Sequence, residues 1–329
     1  MTVIGTIASH SALQILRGAK EEGFKTLLVC DRGRKKLYER FGLADEYVFV
    51  DKFGDVLKKE VQQELIDKEV IMVPHGSFVE YVGARELLNF KVPMFGNKNV
   101  LVWESDRKKG QTWFKKARLK IPKEFKDPSE INRPALVKYP GARGGRGYTL
   151  VKNEKEFKER VGKMGKGMLI QEYIVGTRFY PHFFFSPLSK ENEIMGIDIR
   201  YESNVDGLSG LPEILHMAPT YVITGNIPVM MRESLLAKVF DMADSLIKAS
   251  QELFYPGLKG PYCIELVCTD TLELYLFEIS ARIVAGTNVW VPGSPYTYFK
   301  YGKEISTGRR IAMEIKRAIK QDKLDEIVT

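Results

Sequence analysis

The sequence predicts an α/β domain built on a doubly wound parallel sheet, followed by a two-lobed α+β unit. Strand and helix patterns alternate over residues 2–88, which is typical of parallel sheets. From residue 98 onward strand patterns predominate, and two of them flank a glycine-rich loop. We therefore expect three parts, at residues 1–97, 98–190 and 191–329.

The first part alternates apolar strands with amphipathic helices. Its strands are predicted at residues 2–7, 26–30, 46–50 and 70–73, and its helices at 11–22, 54–67 and 78–88. Gly23 is a natural residue to end the first helix. No G-x-G-x-x-G follows the first strand, so a dinucleotide site is not supported.

The remainder is richer in strands. Helices are predicted at residues 98–117, 153–164, 232–253 and 308–320, and strands at 134–139, 148–151 and 168–174, with further strands up to 222. Thr224, Gly225 and Asn226 are interpreted as a polar turn between apolar strands. A strand hairpin is predicted between Cys263 and Arg282, with its turn near residues 269–272.

Composition narrows the class of protein. The 329 residues carry a net charge of +8, but basic and acidic residues are interleaved as on solvated helix faces. We therefore expect no nucleic-acid partner, and anionic substrates explain the positive excess equally well. No apolar run approaches the roughly 18 residues of a membrane span, and three cysteines form neither a disulfide framework nor a zinc motif. These features predict a cytoplasmic protein with no membrane partner.

The hairpin brings two glutamates together in apolar surroundings. With a two-residue turn near residue 271, Glu265 and Glu278 lie on one face, directly or diagonally opposed. Two facing carboxylates are costly to bury unless a cation lies between them, and paired oxygen ligands suit Mg²⁺. The alternative is that both are partly solvated glutamates of an edge strand.

The glycine-rich loop PGARGGRG is a candidate phosphate-binding loop. It contains Arg143, Gly144, Gly145 and Arg146, and Lys138 lies in the strand before it. Glycines let backbone amides approach phosphate oxygens, and the arginines and lysine add positive charge. The loop is not a Walker A motif, since no G-K-[ST] ends it. The alternative is a flexible hairpin connection with solvated arginines.

Six further residues are candidate ligand contacts. The strand end Glu172-Tyr173-Ile174 offers backbone groups to an adenine edge, although an exposed strand glutamate is the commoner explanation. His10 and Ser77 each follow a predicted parallel strand and precede a helix, where a phosphate is favoured. The simpler explanation for His10 is a helix-terminal residue without a ligand, and for Ser77 it is a plain N-cap. Asn226, the last candidate, has the simpler explanation of a turn residue.

In this order, the lysine strand, the glycine-rich loop, Q-E-Y-I and the I-E-L-V…F-E-I-S-A-R hairpin resemble the ATP-grasp superfamily. In that superfamily two α+β lobes clamp ATP and two Mg²⁺ ions behind a doubly wound domain. The resemblance implies ATP as co-substrate, Mg²⁺ (or Mn²⁺) at Glu265 and Glu278, and phosphate contacts by Arg107, Lys138 and Arg282. Ser280 replaces the asparagine that is usual in E-x-N-x-R, so we do not expect it to bind metal.

Several short strings, among them G-T-I-A-S-H-S-A-L-Q-I and P-H-G-S-F-V-E-Y-V-G, resemble the archaeal formate-dependent synthetases of 5-formaminoimidazole-4-carboxamide ribonucleotide (FAICAR). These enzymes formylate 5-aminoimidazole-4-carboxamide ribonucleotide (AICAR) with ATP and formate, through formyl phosphate, in purine biosynthesis. The resemblance implies AICAR binding by His10, Ser77 and Asn226 and catalysis by His10 and Arg282. We further expect His10 to orient the AICAR amine or relay its proton, since an unperturbed histidine titrates near working pH.

Two alternatives to this activity stay open. One is an ATP-grasp ligase that joins another carboxylate to another amine. The other is a non-catalytic paralogue that binds a purine nucleotide. An aromatic segment, VWVPGSPYTYFKYG, offers a surface for a homo-oligomer, which we expect.

Overall fold

Three β-sheets organise the computed structural model, which describes residues 2–139, 147–206 and 220–329. The first is parallel, in the order β3-β2-β1-β4. Its strands are β1 Val3–Ile7, β2 Lys25–Cys30, β3 Glu46–Phe49 and β4 Val70–Met72, joined by helices α1 Ala12–Glu21, α2 Lys35–Glu39 and α3 Lys59–Asp67. Every residue of β1 is buried, as expected for a central strand covered on both faces. The predicted parallel sheet is confirmed.

Two of the predicted helices are interrupted. The helix expected at 78–88 is two short turns, Phe78–Val82 and Glu86–Asn89, because Gly83 has a φ of +101° that no α-helix accommodates. The helix expected at 54–67 likewise starts with a 3₁₀ turn, Phe53–Leu57, ahead of α3.

The helix expected at 98–117 is two helices, α4 Lys98–Ser105 and α5 Arg107–Lys116. Asp106 separates them with an extended backbone (φ −105°, ψ 111°). Its carboxylate accepts hydrogen bonds from the backbone N–H groups of Lys108 and Lys109. The single helix was wrong here because an aspartate cap competes with continued helix.

The second sheet is a small antiparallel sheet in the order β5-β8-β6-β7. It comprises β5 Glu124–Phe125, β6 Ala135–Lys138, β7 Tyr148–Val151 and β8 Leu169–Glu172, with α6 Glu154–Arg160 on one face. Its own core includes Val137, Phe157 and Ile170. Lys138 is the last residue of β6 and so lies directly before the glycine-rich loop.

The third sheet is antiparallel and has the order β11-β10-β9-β12-β13. Its strands are β9 Thr177–Ser186, β10 Glu191–Asn204, β11 Tyr221–Pro228, β12 Gly260–Cys268 and β13 Leu274–Ser280, and helix α7 is Glu233–Leu253. The predicted polar turn at 224–226 is wrong, because these residues lie within β11. Asn226 pairs with Arg200, and the extra residue, Thr224, is taken up by a bulge.

The division of the chain into parts stays a prediction. The expected boundary at residue 190 falls in the turn between β9 and β10, two strands of the same sheet, whereas the second and third sheets divide between β8 and β9. The expected boundary at residue 97 falls directly before α4.

Two late helices tie the ends of the chain together. They are α8 Pro295–Tyr301 and α9 Thr307–Gln321. Helices α1 and α9 touch through glycines, since a Cβ on Gly18 would lie 2.1 Å from the Arg309 nitrogen. This close packing holds the start of α1 next to the third sheet. Among the described residues, no helix is long and apolar enough to cross a membrane.

Candidate active site

The two glutamates of the hairpin face each other. Glu265 in β12 pairs directly with Glu278 in β13. Next to this pair a β-bulge in β13 accommodates Phe277, which has no partner in β12. The predicted opposition is therefore confirmed. Glu265 is only 2% exposed, whereas more than a third of Glu278 is accessible to water. Glu278 is thus the accessible member of the pair and Glu265 the buried one, and we call the space on the accessible side the cleft.

Arg200 neutralises Glu265. Its two terminal nitrogens each donate to one Glu265 oxygen at 2.9 Å, and the Ser280 hydroxyl donates to Oε1 at 3.1 Å. The guanidinium also lies 3.7 Å from the centroid of the Tyr180 ring. A buried carboxylate needs such pairing, and the glutamate in turn raises the pKa of Arg200.

Glu278 has no comparable hydrogen-bonded partner among the contacts that the described residues make. Desolvation by the surrounding protein and the negative charge of Glu265 raise the pKa of Glu278 to about 7, although the positive charges of Arg200 and Lys138 lower it. Its exposed side moderates this shift, but the direction follows from both causes. A cation placed in the cleft would relieve the repulsion between the two glutamates.

Lys138 and Arg107 bring positive charge to the same cleft. Lys138 reaches it from the second sheet, and burial lowers its pKa while the charge of Glu278 raises it. Arg107, the exposed first residue of α5, is near enough that its charge lowers the pKa of Lys138. The cleft is therefore bounded by the second sheet, the third sheet and the start of α5.

Arg282 is held by a buried glutamate that the sequence did not single out. Its Nη2 donates to Oε1 of Glu104 at 3.0 Å, and the Ala281 N–H donates to Oε2 at 2.6 Å. Burial raises the pKa of Glu104. The Nε of Arg282 is buried and has no hydrogen-bond partner in the described part of the chain.

His10 lies beside Arg282, although 272 residues separate them. An added Cβ on Gly76 would lie 2.9 Å from the His10 Nε2 and 3.4 Å from the Arg282 Cζ, so both side chains occupy the space above this glycine. The His10 ring stacks on His75, with centroids 5.4 Å apart and 3° between planes. The backbone of His10 is in the left-handed region (φ +53°). The two predicted catalytic residues are thus neighbours.

His75 supports His10 and has a determined tautomer. The Ser77 N–H donates to its Nδ1 at 3.2 Å, so Nδ1 is unprotonated and Nε2 donates to the Ile7 carbonyl at 3.0 Å. His75 is fully buried, and burial lowers its pKa to about 4. Ser77 is itself buried and lies next to this pair.

The surroundings of His10 disfavour its protonated form. Desolvation by the surrounding protein, followed by the effects of His75, Arg282 and Arg200, lowers the pKa of His10 to about 2. More than a third of the side chain is accessible, which weakens the shift, but the two arginines act in the same direction. The surroundings therefore favour the neutral form of His10, whose Nδ1 lies 2.9 Å from the Ser11 hydroxyl oxygen.

The remaining predicted residues are spread more widely. The Glu172 carboxylate accepts from Arg133 at 3.0 Å and from the Lys123 N–H at 3.1 Å. The Tyr173 N–H donates to the Pro134 carbonyl, and Ile174 lies just beyond β8. Asn226 is partly accessible in β11. Arg143, Gly144, Gly145 and Arg146 lie outside the described residues.

The third sheet adds polar residues that the sequence reasoning missed. They alternate along β9 and β10 on one face: Arg178, Tyr180, His182, Asp198, Arg200 and Glu202. Ion pairs such as Arg178 with Glu202 (2.6 Å) link the two strands. The signal was present as a period of two in R-F-Y-P-H and D-I-R-Y-E, because alternate strand residues share a face.

Two family models match most of the chain. A domain of unknown function, DUF1297, matches residues 152–329, and a protein of unknown function, DUF1246, matches residues 4–125. A curated relative from Methanobrevibacter smithii is 47% identical over 99% of this chain and 94% of its own length. It is named 5-formaminoimidazole-4-carboxamide-1-(beta)-D-ribofuranosyl 5'-monophosphate synthetase, and so is a relative from Methanocaldococcus jannaschii at 45% identity.

The chain belongs to this synthetase family.

Solved structures agree with this placement. The IMP biosynthesis protein PurP from Thermococcus kodakaraensis is 30% identical, has a TM-score of 0.82 and covers 99% of this chain and 100% of its own. The N5-carboxyaminoimidazole ribonucleotide synthetase purK is 16% identical, with a TM-score of 0.66 over 94% of this chain and 74% of its own, and shows the fold alone. The predicted ATP-grasp fold of this synthetase family member is confirmed.

Proposed function

We propose that the chain formylates AICAR to FAICAR with ATP and formate, releasing ADP and phosphate, as a carbon–nitrogen ligase of purine biosynthesis. The observation that carries the proposal is full-length membership of a synthetase family that is named for the product. The site geometry supports it, since a cation cluster and a facing glutamate pair adjoin a neutral histidine in one cleft.

The reaction has two balanced steps. A formate oxygen attacks the γ-phosphorus of ATP, the bond between that phosphorus and the β,γ-bridging oxygen breaks, and ADP leaves with the electron pair. The AICAR amine then attacks the carbonyl carbon of formyl phosphate, loses one proton, and inorganic phosphate leaves. Formate is a weak nucleophile, so holding it in line with the γ-phosphorus is the main task of the protein.

Positively charged side chains would hold the phosphates. Lys138 and Arg107 line the cleft next to Glu278, and the guanidinium of Arg282 lies beside His10. We assign the same role to the loop residues Arg143, Gly144, Gly145 and Arg146. The adenine would lie against the strand end formed by Glu172, Tyr173 and Ile174.

A divalent ion, Mg²⁺ or Mn²⁺, fits the glutamate pair. Both residues offer hard oxygen donors, and desolvation and then the negative charge of Glu265 raise the pKa of Glu278, so a cation between them would be favourable. In the described ranges no third histidine, cysteine or carboxylate joins them, so phosphate oxygens and water would complete the shell. The bound ion would neutralise charge on the transferring phosphoryl group.

His10, Ser77 and Asn226 would bind AICAR. Since His10 is neutral, we assign it the orientation of the amine by a hydrogen bond, rather than the role of a strong base. Arg282, fixed by Glu104, lies against His10 and would stabilise negative charge on the formyl carbonyl during attack.

The test is ADP release with Mg²⁺, measured with formate plus AICAR and with each substrate alone. Release that needs both substrates, with FAICAR identified by mass spectrometry, supports the proposal. Release with another carboxylate and amine only would favour a different ligase. Nucleotide binding without turnover would favour a non-catalytic protein.

Variants connect this activity to the site. Glu278→Gln should lose most Mg²⁺-dependent turnover, because the amide is a weaker ligand than the carboxylate. Asp270→Asn, an exposed residue in the same hairpin's turn, is the matched control and should keep wild-type turnover. Equal activity of both variants would contradict the assigned metal site.

Assembly and location complete the proposal. We propose a homo-oligomer that uses α8, where Tyr298 is 56% and Phe299 77% exposed. We also propose a cytoplasmic location, which the three buried free cysteines support because free thiols persist in a reducing compartment.

A further inference from the structure

A buried carboxylate lies directly behind Asn226. Asp198 is 0% exposed and has two side-chain partners: Oδ1 is 2.7 Å from Nε2 of His182, and Oδ2 is 2.6 Å from Nδ2 of Asn226. The backbone of Gly286 closes over it, because an added Cβ there would lie 2.4 Å from Oδ1. The Gly286 backbone therefore also covers the Asp198 carboxylate.

These contacts determine the orientation of the Asn226 amide and of the His182 ring. A carboxylate accepts hydrogen bonds, so Asn226 must direct its NH₂ group toward Asp198 and its Oδ1 away from it. Because Asp198 is buried and Asn226 is partly accessible, that oxygen is on the accessible side. His182 likewise donates through Nε2, and its buried Nδ1 has no hydrogen-bond partner within the described ranges.

The accessible side of Asn226 belongs to the cleft already described. Asn226 pairs across the strands with Arg200, the partner of Glu265. Asp198 touches Gly286 in the turn Ala285–Trp290, and Asn288 of that turn donates to the His10 carbonyl at 3.3 Å. The Asn226 side chain therefore belongs to the same group of contacts as Arg200 and, through Gly286 and Asn288, His10.

We propose that Asp198 is a positioning residue that makes Asn226 an acceptor and so selects substrates with an N–H donor at this point. The inference rests on the proposed function, since it takes AICAR as the ligand of Asn226. AICAR carries N–H groups on its amine and its carboxamide. We assign the carboxamide N–H as the donor to Oδ1. The ribotide with a methyl ester in place of the carboxamide has the same charge as AICAR but offers only acceptors at that position, so it would leave Oδ1 unpaired.

Asp198→Asn tests this orientation without removing hydrogen bonds. The new amide can accept from His182 through its oxygen and present its NH₂ to Asn226. Asn226 then gains a hydrogen bond by rotating its own amide, which turns its NH₂ into the cleft. The acceptor becomes a donor, so the preference of the site should move toward the ester.

The experiment compares the dissociation constants of AICAR and the methyl ester ribotide by calorimetry on the full chain. In the wild type we expect AICAR to bind more tightly. In Asp198→Asn the ratio should shift toward the ester about tenfold, the equivalent of one hydrogen bond. Asn226→Ala should also lower the preference, and adding Asp198→Asn to it should change the ratio no further.

A matched control separates orientation from general effects. On the surface Asp244 accepts from the side chain of Asn192 at 2.7 Å, so Asp244→Asn alters the same kind of pair outside the cleft and should leave the ratio unchanged. An unchanged ratio in folded Asp198→Asn overturns the inference. If that variant does not fold, an unchanged ratio in Asn226→Ala overturns it. Wild-type protein that binds neither ribotide refutes the proposed function itself.

Discussion

Gly76→Ala is the sharpest perturbation of the proposed site. The added methyl would lie 2.9 Å from the His10 Nε2, 3.3 Å from its Cδ2 and 3.4 Å from the Arg282 Cζ. Unstrained contacts of this kind lie at about 3.5–4.0 Å, so the imidazole must move by about 0.5–1 Å. Gly76 does not have a positive φ, and alanine is therefore compatible with its backbone.

We expect function to suffer and the fold to persist. A displacement near 1 Å can lower the rate about 100-fold when two reactants must be held in line, so kcat/KM for AICAR should fall by roughly that factor. The free energy of unfolding should stay within about 1 kcal/mol of wild type, since alanine also restricts the unfolded chain. Steady-state kinetics and urea denaturation measure the two quantities.

A control glycine distinguishes crowding from the effect of an added methyl. In Gly54→Ala the nearest atom, the Tyr81 carbonyl oxygen, would be 3.7 Å away, an ordinary contact. That variant should keep wild-type kcat/KM. Wild-type kcat/KM in folded Gly76→Ala would refute the need for His10 at its observed place.

Three further outcomes are expected. Arg200→Met leaves Glu265 buried and uncompensated, so urea denaturation should show a loss of about 3–5 kcal/mol, most of which Arg200→Met with Glu265→Gln recovers. The folded pKa of His75 lies below its unfolded value of 6.5, so the stabilisation that His75 contributes is present above pH 6.5 and is lost as the pH falls toward 4. The free energy of unfolding should therefore be about 2 kcal/mol lower at pH 5 than at pH 7 because of this residue. His75→Asn should reduce this difference. Because His10 stays neutral, the kcat/KM profile for AICAR between pH 5 and 8 should have the same shape in wild type and in His10→Asn, and a lost inflection in the variant would contradict this.

Local patterns were sufficient for the elements and for one part of the site. The alternation of strands and helices predicted the parallel sheet, and the hairpin spacing placed Glu265 opposite Glu278. These are short-range relations, set by backbone periodicity and by the length of a turn. Where a local rule competed with another, as with the cap at Asp106, the element was misjudged.

Contacts between residues that are far apart in the sequence could not be predicted from local patterns. Glu104 holds Arg282, and Asp198 turns Asn226, only because sheets and helices far apart in sequence pack together. The same holds for the pKa of His10, which depends on Arg282 and Arg200 nearby and on burial by the folded protein.

The sequence by itself determined the order of the elements, the glutamate pair and the family resemblance. The tertiary structure decided the charge state of His10, the neutralisation of Glu265 and the partners of Arg282. The physical reason is that periodicity and turn chemistry act over a few residues, whereas electrostatics and burial depend on all groups within several ångströms in space.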